Sequence, residues 1–63
     1  MPSQQLNSVF NRAWIDKKFR ESLFEDMAVV LVQASVPKGE IIQLLASAPQ
    51  TIEDLAKVIA ERF

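Results

Sequence analysis

A chain of 63 residues with no Cys, no His and no Tyr forms one small domain at most and lacks the side chains of thiolate or imidazole metal sites, disulfides and Ser-His or Cys-His nucleophilic pairs. Its 7 Lys and Arg against 8 Asp and Glu leave a net charge of -1, and the basic residues form no block of the kind nucleic-acid binding needs. The apolar run near 27–32 falls far short of the ~20 residues a membrane span requires, and no cationic, then apolar, export signal opens the chain, so a cytoplasmic location follows by default.

In chain order, Ser3 is an N-cap residue, and Leu6, Val9, Phe10, Ala13 and Trp14 follow at helical spacing, which predicts a helix over 4–14. Asp16, a second N-cap type, marks a break near 15–16. From 17 to 34 Phe19, Leu23, Met27, Val30 and Leu31 share one side, with Lys17, Lys18, Glu21, Ser22 and Glu25 between them for solvent. Pro37 and Gly39 punctuate the next stretch. The run over 40–45 is short and apolar, and periodicity leaves it open as a buried strand or as one to two helical turns. Pro49-Gln50 is a second break. Thr51 then caps a helix carrying Ile52, Leu55, Ala56, Val58, Ile59 and Phe63 on one side, with Asp54 in the place of a capping-box carboxylate.

The expected fold is mainly α: a two- or three-helix arrangement, with a short β segment near 40–46 if that run is a strand. It is a single domain over 1–63, divided into a helical region over 4–34, a turn-rich connector over 35–50, and a C-terminal helix or tail over 51–63. A chain this short buries roughly 60% of the surface its unfolded form exposes. Stability of a few kcal/mol follows, and a partner surface is expected to complete its order.

The segment from Ala13 to Asp26 carries Ala13, Trp14, Asp16, Phe19, Arg20, Leu23 and Asp26 in one register. It resembles the AWxDxxFRxxLxxD signature near the start of nitrile hydratase alpha subunits. The same signature occurs in the nitrile hydratase-like leader peptides of ribosomally synthesised, post-translationally modified peptide (RiPP) precursors. The stretch over 36–42 is similar to the family's P-x-G turn and the apolar strand after it, and the stretch over 46–51 sits where the family has a polar turn. Three departures stand out. The Cys-rich metal-binding segment of the hydratase is missing, which excludes that activity. Met27 stands where Pro often follows the Asp. The chain ends in a helical pattern without a Gly-Gly cleavage site.

The resemblance implies a substrate, not a catalyst: a precursor or leader peptide gripped by RiPP modifying enzymes, with a peptidase or transporter as a further partner and no cofactor of its own. Such a leader presents an amphipathic helix to a groove through anchors at i, i+3, i+4 and i+7. Trp14, Phe19 and Leu23 are the expected anchors, Asp16 and Arg20 the expected polar contacts, with Arg20 pairing a partner carboxylate. Because a core peptide trails its leader, Glu61, Arg62 and Phe63 are the candidate modification site. On pattern alone the same residues have a plainer assignment: an aromatic stripe at helical spacing packs inside its own domain, Asp16 caps a helix, and Arg20 pairs within the chain. The competing function is a small helical adaptor that acts by dimerisation or docking.

Overall fold

In the computed structural model, which describes residues 2–63, the chain forms five helices: α1 (Gln4–Ile15), α2 (Lys17–Glu25), α3 (Met27–Gln33), α4 (Lys38–Ser47) and α5 (Ile52–Arg62). Met1, the first residue of the expected 1–63 domain, lies outside the described residues. The mainly α class is as expected, but the count of two or three helices is corrected to five.

Each boundary has a local cause. Ser3 caps α1, its Oγ accepting the Leu6 N–H at 3.0 Å. Asp16 ends α1 and begins α2. Its backbone is extended (φ -106°, ψ 109°), and its Oδ1 accepts the Phe19 N–H at 3.2 Å, a local bond that competes with helix continuation. Asp26 interrupts the stretch expected as one helix over 17–34, with φ -145° and ψ 67°. A straight helix over that span would run about 27 Å. The whole molecule measures 25 × 22 × 19 Å, so an unbroken helix would carry part of its apolar stripe past the core. The bend brings Leu23 of α2 and Leu31 of α3 into the same interior.

The end of α3 is a Schellman motif. Ser35 takes the left-handed conformation (φ 62°) and donates its N–H to Val32 O at 3.0 Å, while Val36 donates to Leu31 O at 3.1 Å. Val36 is buried, which supplies the apolar contact that accompanies this motif. Pro37 is the N-cap of α4. The 40–46 run is therefore helix, and the strand alternative is corrected: no strand exists among the described residues to pair with one, and a lone buried strand would leave its amides unsatisfied. The stretch also departs here from the apolar strand that the leader-peptide resemblance implied. Burial follows the helical period, with Ile41 and Leu44 inside and Ile42 and Leu45 outside. Helix α4 ends on a left-handed Ala48 (φ 49°).

Thr51 begins α5, its Oγ1 accepting the Asp54 N–H at 3.1 Å. The Asp54 carboxylate reaches the Gln50 N–H at 3.4 Å, one residue earlier than in a capping box.

Helix α1 packs against α2 and α5, and the chain then folds back through α2·α3 and α3·α4. Leu6, Leu23, Leu31, Leu44 and Leu55, one from each helix, are the largest fully buried side chains. Burying each is worth about 1.5–3 kcal/mol. The Cα radius of gyration is 10.1 Å, against about 10.6 Å for a folded domain of this length. The chain thus builds a core of its own rather than displaying one extended helix.

A tertiary cap ties the two ends of this core. The Ser3 N–H donates to Glu40 Oε2 at 2.7 Å and the Ser3 hydroxyl to Glu40 Oε1 at 2.5 Å. A capping box normally receives its carboxylate from the third residue of the same helix. Here α4 supplies it to α1 from across the fold.

Candidate partner-binding surface

The corner between α1 and α2 distributes the signature residues over three environments. Leu23 lies inside: at 1% exposure it is a core residue with no face to offer a partner. Phe19 is half-buried against the core, with the Arg12 guanidinium carbon 4.3 Å above its ring centroid. Trp14 stands out at 55% exposure, followed by Ile15 at 85%. The Trp14 ring is braced by Phe10 one turn earlier, with centroids 5.9 Å apart and planes tilted by 45°.

The two polar signature residues shape the corner itself. Asp16 is spent on the α2 cap. Arg20 Nη1 donates to Ala13 O at 3.2 Å and to Trp14 O at 3.4 Å, capping carbonyls that the end of α1 leaves open. It locks the helix bearing Trp14 onto α2. Here the plainer assignments of Asp16 as a cap and Arg20 as an intrachain partner describe the geometry.

Two shallow grooves flank this corner. One, of about 650 Å³, lies among α1, α2 and α3 and is lined by neutral polar groups such as Gln4, Gln5 and Ser8, with Arg12 and Phe19. The other, of about 820 Å³, runs between α2 and the start of α5, and Trp14, Phe24 and Ile52 give it apolar surface. Glu21, Glu25 and Glu53 line it too, together with Arg20. Trp14 and Phe19, both expected as anchors, therefore line different grooves.

Sequence reasoning missed the part that α5 plays here. Glu21 and Glu25 are i,i+4 neighbours, so one face of α2 was signalled. Nothing local brings Glu53 and Ile52 to the same groove.

Of the C-terminal residues, Phe63 is half-buried against the core and donates its N–H to Ile59 O at 3.1 Å, while Glu61 and Arg62 lie exposed in the last turn of α5. An enzyme acting on their backbone would first have to unwind that turn. Among the described residues, no group of three His, Cys, Asp or Glu could hold a metal ion, and no helix is long and apolar enough to cross a membrane. No family model, curated protein or solved structure matches the chain.

Proposed function

We propose that this chain is a recognition peptide of the leader type, a substrate gripped by RiPP modifying enzymes through the α1–α2 corner in the cytoplasm, with a peptidase or transporter acting on it afterwards. The observation that carries this reading is Trp14. The chain has one tryptophan, and it is left 55% exposed while one leucine from each helix is fully buried. Exposed tryptophan braced by a second aromatic ring is the residue type that dominates binding energy at protein interfaces. The Ala13–Asp26 signature supports the same reading, and in the fold two of its residues, Asp16 and Arg20, build the corner that holds Trp14 outward.

Co-expression with the enzymes encoded beside it, followed by intact-mass measurement, tests the proposal. A mass change that is lost in Trp14→Ala, with helicity retained by circular dichroism, is the expected result. An unchanged mass with every neighbouring enzyme would refute it.

A second reading, a helical adaptor that dimerises or docks, is favoured by other exposed apolar residues: Val29 and Val32 on α3, Ile42 and Leu45 on α4. Sedimentation equilibrium separates the two. A stable dimer disrupted by Val32→Glu or Ile42→Glu, with no modifying enzyme bound, would select the adaptor.

A further inference from the structure

The groove beside Trp14 is more acidic than the sequence as a whole. Its lining holds three of the 8 acidic residues, Glu21, Glu25 and Glu53, and one of the 7 basic ones, Arg20, so the local balance is 1 - 3 = -2 against -1 for the entire chain. The Arg20 guanidinium is already turned to the Ala13 and Trp14 carbonyls at 3.2 and 3.4 Å. Beside the three carboxylates lie an aromatic and aliphatic surface, Trp14, Phe24 and Ile52.

From this we infer that the groove receives a cationic, amphipathic segment of the partner protein, its Lys or Arg side chains meeting Glu21, Glu25 and Glu53 and its apolar side chains resting on Trp14, Phe24 and Ile52. This rests on the recognition reading above and deepens it by naming the chemistry of the surface that grips the chain. Charge complementarity selects the occupant, because an acidic or neutral segment would strip water from three carboxylates without replacing it. The positive charge comes from side chains, not from a metal ion: among the described residues no three carboxylates converge closely enough to chelate one. Lys and Arg suit the mixed lining because their stems cover apolar surface while their heads stay at the rim. The exposed indole adds a site for a cation over its face. The second groove, with Arg12 and no carboxylate in its lining, lacks this match.

The test titrates the isotope-labelled full chain with three synthetic peptides: an amphipathic Lys/Leu peptide, its Glu/Leu analogue, and a Lys/Ser analogue without apolar side chains. Trp14, as the single tryptophan, reports in parallel by fluorescence. The Lys/Leu peptide is expected to bind most tightly, to shift the amides of Trp14, Glu21, Glu25 and Glu53, and to weaken as salt rises. Three exposed charge pairs together are worth about tenfold in affinity, so the combined Glu21→Gln, Glu25→Gln and Glu53→Gln variant should lose about that factor. The salt titration of the unaltered chain keeps the test decisive if the variant folds poorly. Equal binding of the Glu/Leu peptide, or binding insensitive to salt, overturns the inference. A modifying enzyme that needs Trp14 but ignores the three glutamine substitutions also overturns it, while sparing the recognition reading. Lys/Leu binding in the groove by a chain that no modifying enzyme binds or alters supports the groove and rejects the recognition reading.

Discussion

Removing the Glu40 carboxylate tests whether α4 holds the start of α1 in place. Two charge-assisted hydrogen bonds converge on it, from the Ser3 N–H at 2.7 Å and the Ser3 hydroxyl at 2.5 Å. A hydrogen bond to a charged group is worth about 1.5–3 kcal/mol when well buried. Both groups are half-buried, so water takes over part of the loss, and Glu40→Ala should cost about 1–2 kcal/mol in all. Glu40→Gln keeps one acceptor oxygen and should cost about half as much. In a domain of this size each kcal/mol moves Tm by about 4–8 °C, so thermal unfolding followed by circular dichroism resolves the two variants. The Ser3→Ala variant loses the hydroxyl bond and the α1 cap together, about 1 kcal/mol for the cap alone, yet keeps its backbone N–H for Glu40. A double-mutant cycle of Ser3→Ala with Glu40→Ala therefore isolates the hydroxyl–carboxylate bond, and a coupling of at least about 0.5 kcal/mol is expected. Additive single effects would show that the hydroxyl–carboxylate bond contributes nothing to the folded state.

Three further outcomes are measurable by thermal or denaturant unfolding. Ser35→Gly and Ala48→Gly each place glycine at a left-handed helix end (φ 62° and 49°) and should stabilise by about 0.5–1 kcal/mol, whereas loss of stability would contradict those backbone assignments. Gly39→Ala lies in the first turn of α4, where an added Cβ meets nothing within 4 Å, and should raise stability by about 0.4–1 kcal/mol in denaturant titration. Leu23→Ala should cost about 2–5 kcal/mol and leave much of the population unfolded, while Trp14→Ala should cost about 0.5–1.5 kcal/mol through loss of the Phe10 pair. A Trp14→Ala chain that melts as Leu23→Ala does would show that the indole is part of the core.

Helix starts were legible because their signals are local. Ser3, Asp16 and Thr51 each hold the amide three residues on, as their residue types announce. The rest of the chain was less legible for three different reasons. Over 40–45, six residues satisfy strand and helix patterns alike, and only the absence of a pairing strand decides. At Asp26 the apolar stripe continues unbroken through the sequence, so the break arises from fitting Leu23 and Leu31 into one small interior. Ser35 and Ala48 adopt a conformation that favours glycine, and the one glycine present sits inside α4 instead. For the candidate site, Phe19 and Leu23 share one face at i,i+4, whereas Trp14 lies five residues before Phe19, about 140° away on a straight helix. That much of their separation is in the spacing; the turn at Asp16, which redirects α2 so that Leu23 enters the core, is not.

Under the proposed recognition function, that turn also bears on how a partner would meet this chain. One straight helix would place Trp14 and Leu23, nine residues apart, about 180° from each other on opposite faces, so a single groove could not take both. With the corner closed by Arg20 on the α1 carbonyls, Leu23 is buried and Trp14 is held outward on a folded base. A partner that grips Trp14 then meets a surface already in place and bears less of the ordering entropy that a disordered leader would impose on binding. It follows that loosening the corner should weaken binding even where the ring itself is untouched. Arg20→Ala deletes the two carbonyl bonds and leaves Trp14 itself intact. Its effect on affinity for a modifying enzyme, set against that of Trp14→Ala, separates the contribution of the fold from that of the ring.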